Sequence, residues 1–136
     1  MDRRRILVIE DEPAVRELLK LHLVNEGYEV LLAEDAIDGG RLLLTGQPDL
    51  LIVDPGLPYM SGFELVTTLI ADRSSPALPV IFVTGSEQHA AQAQALGDAC
   101  LVKPFYVEQL VVQVRRLLAP SADASTRAVA EGARAA

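Results

Sequence analysis

Residues able to do chemistry cluster at four places in this 136-residue chain: Glu10-Asp11-Glu12, Asp54, Thr84-Gly85 and Lys103-Pro104. Two or three carboxylates gathered in one cleft repel, and at least one takes up a proton unless a cation intervenes. Lys103 supplies one positive charge. The negative charge left over suits a hard divalent ion with oxygen ligands, and few ligands with an open rim suit Mg²⁺, which keeps several waters. Asp11 and Asp54 are the candidates for direct ligation, with Glu10 acting through water. Such a set serves phosphoryl transfer: a carboxylate takes the group as nucleophile, while metal, ammonium and hydroxyl offset charge on its oxygens. Asp54 is the candidate nucleophile. Lys103 is placed to bind one phosphoryl oxygen and Thr84 to donate to another. The Gly85 backbone N–H is a further donor, at a residue with no side chain to hinder approach.

These residues share a cleft only if the elements before them run parallel. Ile6-Leu7-Val8-Ile9 is a short unbroken apolar run rich in β-branched residues, the pattern of a strand buried on both faces. Residues 49–54 and 79–84 read the same way; 28–33 and 99–102 are weaker strands. Helical spacing falls between them, over 12–26, 35–45, 61–71, 86–96 and 105–118. Pro13 suits a first turn and Gly27 a stop; Ser61 with Glu64 reads as a capping box. Strand–helix alternation repeated five times predicts an α/β fold, a doubly wound parallel sheet with helices on both faces. Its site lies at the carboxyl ends of the strands. Residues 119–136 are Ala-rich with few large apolar groups, and read as a disordered tail or linker after one domain over 1–118.

Composition narrows the function classes. Half the residues are hydrophobic and 23% are charged, enough for a real core. Twelve basic against nineteen acidic residues give a formal charge of −7, which argues against nucleic-acid binding through bulk charge. A single Cys excludes an internal disulfide and a multi-cysteine zinc site. No apolar run approaches the roughly 20 residues of a membrane span. The apolar run after Arg3-Arg4-Arg5 ends at Glu10, too early for a signal peptide, so a cytoplasmic location is expected. Gly39-Gly40 lies within a helical pattern and lacks the further Gly of a dinucleotide loop. His22 and His89 read as helix-surface residues, and Cys100 as a small buried hydrophobe.

Taken in order, these motifs resemble the receiver domain of bacterial two-component response regulators. The matching residues are Glu10-Asp11 after Ile6-Leu7-Val8-Ile9, Asp54 followed by Leu57-Pro58-Tyr59-Met60-Ser61-Gly62, Thr84 after Val80-Ile81-Phe82-Val83, and Lys103-Pro104-Phe105. The resemblance covers about residues 4–118 and implies a flavodoxin-like (βα)5 fold, a five-stranded parallel sheet with strand order 2-1-3-4-5. It implies a Mg²⁺-dependent phosphoacceptor that takes a phosphoryl group onto Asp54 from a phosphohistidine of a sensor histidine kinase or a histidine phosphotransfer protein. It also implies a metal set of Glu10, Asp11, Asp54 and the Gly56 carbonyl, and a cis Lys103-Pro104 bond. A dimer through helix 4, strand 5 and helix 5 is the interface it points to. Such a domain promotes its own phosphorylation and dephosphorylation and is not a dedicated enzyme.

Three features depart from the family pattern. Cys100 stands where the family usually has an aromatic residue that rotates inward as Thr84 moves toward the phosphoryl group, and Cys cannot act as that lever. The stretch from Thr84 to Lys103 is shorter than the family's. Pro55, directly after Asp54, has no N–H to offer, while Gly56 leaves room for an attacking water. An alternative function is therefore a pseudo-receiver, the same fold used as a phosphorylation-independent docking module. An aspartyl phosphatase would need Asp-x-Asp at the first strand end, and a flavin protein a hydroxyl-rich loop there; Glu10-Asp11-Glu12-Pro13 is neither.

Overall fold

The computed structural model describes residues 3–72 and 77–119. Five strands and five helices alternate: β1 (Arg5–Ile9), α1 (Pro13–Asn25), β2 (Glu29–Ala33), α2 (Ala36–Thr45), β3 (Leu50–Val53), α3 (Gly62–Ala71), β4 (Val80–Thr84), α4 (Glu87–Leu96), β5 (Ala99–Val102) and α5 (Val107–Leu117). The strands form one parallel sheet in the order β2-β1-β3-β4-β5; the alternation predicts the parallel sheet and the family resemblance its order. All residues of the expected tail except Ala119 lie outside the described residues.

Both faces of the sheet are covered, which is why the central strands read as unbroken apolar runs. Ile6, Val8, Leu50, Ile52, Ile81 and Val83 pack on one face with Leu19 and Leu23 of α1 and Leu110 and Val114 of α5. The residues between them, Leu7, Ile9, Leu51, Val53, Val80 and Phe82, pack on the other face with Phe63 and Val66 of α3 and Ala93 of α4. The period-2 alternation of strand side chains thus divides one apolar run between two cores. The chain turns to opposite sides of the sheet after β1 and β3, which are neighbours. That opens a crevice beyond their carboxyl ends.

Helix starts follow local chemistry. Asp35 accepts from the Asp38 N–H at 2.8 Å and Ser61 from the Glu64 N–H at 3.1 Å, so each caps its helix from outside rather than beginning it. Helix α5 begins at Val107, not at Phe105: Tyr106 is its N-cap and the Gln109 side chain accepts from the Tyr106 N–H at 3.1 Å. Phe105 packs against the α1/α5 core instead. Helix α4 has ten residues and buries only Ala93. Its exit is tight because a Cβ on Gly97 would stand 2.6 Å from the Phe82 ring.

Candidate functional site

At the carboxyl end of the sheet the Lys103 ammonium sits among three carboxylates. Nζ lies 2.6 Å from Glu10 Oε1, 3.0 Å from Asp54 Oδ2 and 3.1 Å from Glu12 Oε1. Parallel strands bring these together: Glu10 directly follows β1, Asp54 follows β3 and Lys103 follows β5, with a cis Lys103-Pro104 peptide after it. The outer partner differs from the inner two. Glu10 and Asp54 are buried, whereas the Glu12 side chain is 61% exposed. Burial pushes the Glu10 carboxyl above the ordinary glutamate range, and the Lys103 hydrogen bond only partly opposes this. Burial works against the Lys103 charge too, but hydrogen bonds to Glu10, Asp54 and Glu12 outweigh it and hold the ammonium above the ordinary lysine value.

The Asp54 loop is fastened from below. The Gly56 N–H donates to Asp54 Oδ1 at 2.8 Å, leaving Oδ2 for Lys103. Gly62 closes the loop: its N–H donates to the Pro55 carbonyl at 3.0 Å, and a Cβ there would stand 2.6 Å from the Asp54 carbonyl oxygen. Only glycine allows that approach without moving backbone. Thr84 is buried at the end of β4, and its Oγ1 accepts from the Ser86 N–H at 3.1 Å, so the hydroxyl braces the start of α4. Gly85 is exposed, and a Cβ there would meet nothing within 4 Å, so crowding is not what this glycine relieves.

Several residues sit differently from the sequence reading. Asp11 is exposed, and the carboxylates that converge are those of Glu10, Glu12 and Asp54. Where the chain leaves β1, Glu10 is buried and Asp11 exposed, and Glu12, the α1 N-cap, reaches Lys103. Glu10 pairs directly with Lys103. Sequence reasoning also passed over Arg16, whose guanidinium donates to the Glu10 carbonyl at 2.7 Å. Its position one turn after Glu12 was the available signal. His89 is half-buried and meets the Phe63 ring edge-on, with centroids 5.5 Å apart, rather than lying free on the surface. Cys100 is half-buried rather than enclosed, and lies beside Phe82 in the sheet register. Burial raises its thiol above the usual range.

The donor set suits a hard cation. Glu10, Glu12 and Asp54 each offer a carboxylate oxygen, and these oxygens all lie within 4.8 Å of one another. Among the described residues no helix is long and apolar enough to cross a membrane.

Comparison with known proteins agrees with this geometry. The family model for the response regulator receiver domain matches residues 6–115. The chain is 38% identical over 117 residues to the DNA-binding dual master transcriptional regulator RpaA of Synechocystis sp., covering 84% of this chain and 48% of that protein. It is 36% identical over 118 residues to the transcriptional regulatory protein PcoR of Escherichia coli, covering 85% and 51%. The chain thus spans about half the length of the curated relatives it matches. Among solved structures, the response regulator TrrA from Thermotoga maritima in complex with Mg²⁺-BeF superposes with a TM-score of 0.77 at 33% identity, covering 85% of this chain and 99% of that one. The chemotaxis response regulator CheY4 of Vibrio cholerae superposes with a TM-score of 0.78 at 26% identity, covering 86% of this chain and 100% of that one. With the fold, the four motifs and the family model in agreement, this chain belongs to the response regulator receiver domains of two-component systems.

Proposed function

We propose that this domain is a phosphoacceptor switch that takes a phosphoryl group onto Asp54 from a phosphohistidine of a sensor histidine kinase or a histidine phosphotransfer protein, in the cytoplasm. The observation that carries the reading is the contact of Lys103 Nζ with both Glu10 and Asp54, which joins the ends of three strands in one charged cleft. In the transfer, one Asp54 carboxylate oxygen attacks phosphorus as the bond from phosphorus to the donor nitrogen breaks. The imidazole leaves with the electron pair and takes up a proton, and the product is an acyl phosphate. Asp54 serves as nucleophile because the Gly56 N–H and Lys103 orient its two oxygens. Lys103 then binds a phosphoryl oxygen, and the Gly85 N–H and the Thr84 hydroxyl bind others, Thr84 releasing Ser86 as it does so.

Glu10, Asp11, Asp54 and the Gly56 carbonyl are the residues we assign to hold Mg²⁺; Glu10 and Asp54 already converge, and Asp11, exposed and outside that converging set, has to turn toward it. When bound, that ion supplies positive charge to offset the oxygens of the transferred group. The switch positions are Thr84 and Cys100, with Thr84 carrying the movement because Cys100 cannot act as the aromatic lever, and α4, β5 and α5 are the face of a homodimer. The domain itself contacts neither nucleic acid nor membrane. It promotes its own phosphorylation and dephosphorylation and is not a dedicated enzyme.

Acetyl phosphate with Mg²⁺ tests this by intact-mass measurement. A single phosphoryl adduct on the wild type that is absent in Asp54→Asn supports the switch. No adduct on the wild type supports a pseudo-receiver used for docking, and an adduct that persists in Asp54→Asn removes Asp54 from its role.

A further inference from the structure

Lys103 has three N–H donors, and in this structure all three are used: by Glu10, Asp54 and Glu12. An ammonium in that condition has none left for an incoming phosphoryl oxygen. One partner must therefore yield. Glu10 is buried and is held in place by the Glu12 N–H on its Oε2 at 3.2 Å. Asp54 carries the incoming group and stays. Glu12 is the exposed partner. An exposed ion pair is worth little and exchanges readily.

We infer that Glu12 is a placeholder carboxylate: it completes the Lys103 donor set in the resting domain and must be displaced before the ammonium can bind the phosphoryl group. This rests on the phosphoacceptor reading above and adds to it a residue that opposes the forward reaction. Two effects act in the same direction. Displacing Glu12 breaks a contact with Lys103, and the displaced carboxylate still faces the approaching anionic group. Glu12 is in this sense a positioning residue, since it acts through Lys103 and not on the reacting atoms. A role as an essential metal ligand has the opposite signature, because its loss would slow the reaction and weaken the complex.

The sign of one substitution decides between them. Glu12→Gln keeps the length and removes the charge; Glu17→Gln removes a charge from the exposed face of the same helix and serves as the control. We expect phosphorylation of Glu12→Gln by acetyl phosphate at saturating Mg²⁺ to run about threefold faster than wild type, the size of one exposed ion pair. Beryllofluoride with Mg²⁺, followed by ¹⁹F NMR, should bind Glu12→Gln more tightly by a similar factor, and Glu17→Gln should leave both unchanged. A Glu12→Gln that is equal to wild type or slower, or that binds beryllofluoride no more tightly, overturns the inference while leaving the phosphoacceptor reading intact. A wild type that takes up neither phosphoryl group nor beryllofluoride overturns both, since there is then nothing for Glu12 to hold back.

Discussion

The two edges of the sheet use acids in opposite ways. At the amino edge, Asp49 accepts from the Arg5 N–H and Asp98 from the Val80 N–H, both at 2.8 Å, and each aspartate's own N–H donates back to the same neighbouring strand residue. Each acid thereby fastens a strand start to the strand beside it. At the carboxyl edge, Glu10 and Asp54 share a side-chain ammonium. A backbone N–H is fixed by the fold and cannot leave; an ammonium on a four-carbon stem can be replaced by another cation or redirected to another anion. Glu10 and Asp54 also accept from backbone, from the Glu12 and Gly56 N–H groups, and Asp49 has an exposed arginine, Arg4, at 3.9 Å; what sets the carboxyl edge apart is an ammonium shared between two buried acids, and that movable charge makes them available for chemistry.

Removing that charge should produce the largest effect. Lys103→Ala leaves Glu10 and Asp54 facing each other without a cation, and loss of one partner from a buried pair costs about 3 kcal/mol. The cost should depend on pH. Burial already raises the folded-state pKa of Glu10 above its unfolded value, so the folded state holds the Glu10 proton more tightly than the unfolded chain does. Stability from this group is therefore greatest at or below the ordinary glutamate range and falls as pH rises through the raised value. Without Lys103 the raised value climbs further, because the hydrogen bond that opposed it is gone. Urea unfolding of wild type and Lys103→Ala across that range should diverge as pH increases. Parallel curves would mean that Lys103 does not compensate Glu10.

An intermediate effect is expected at the other edge. Asp49→Ala removes the carboxylate from the Arg5 N–H and should cost about 1.5 kcal/mol. Acetyl phosphate labelling of Asp54 should keep the wild-type rate in the folded variant. A variant that is destabilised and also slow to label would show that the two edges are coupled through β1 and β3, and the contrast between them would fail.

The parallel sheet and the four charged motifs were legible in the sequence because both follow from short-range patterns, whereas the spatial order of the strands came only with the family resemblance. Unbroken apolar runs mark strands covered on both faces, and in a parallel sheet whatever follows each run lies at one edge. Which of three consecutive acids turns inward was not legible. Glu10, Asp11 and Glu12 are equivalent as residue types, and the choice depends on how the chain leaves β1 to enter α1. The place of His89 was hidden for a related reason: its contact is with Phe63, on a different helix, and no local spacing reports it. Asp49 and Asp98 look like ordinary turn acids until the neighbouring strand starts are in place.

Backbone strain offers the finest test of the contrast, because among the described residues each edge carries one left-handed residue that is not glycine. Gln47 has φ 50° in the loop before β3, and Tyr59 has φ 73° in the loop after Asp54. A left-handed conformation costs a side-chain-bearing residue about 1 kcal/mol or somewhat more, and glycine relieves it at some expense in unfolded-chain entropy. Gln47→Gly and Tyr59→Gly should therefore each stabilise the domain by about 0.5 kcal/mol in urea unfolding. Their effects on chemistry should differ. Gln47 leads into the fastened edge, so its replacement should leave the Asp54 labelling rate alone. Tyr59 is 81% exposed on the segment that links Asp54 to Gly62, and a glycine there loosens the loop that presents the nucleophile, so labelling should slow while stability rises. If both variants gain stability and both label at the wild-type rate, strain at the carboxyl edge has no bearing on the site, and the difference between the edges lies in their charges alone.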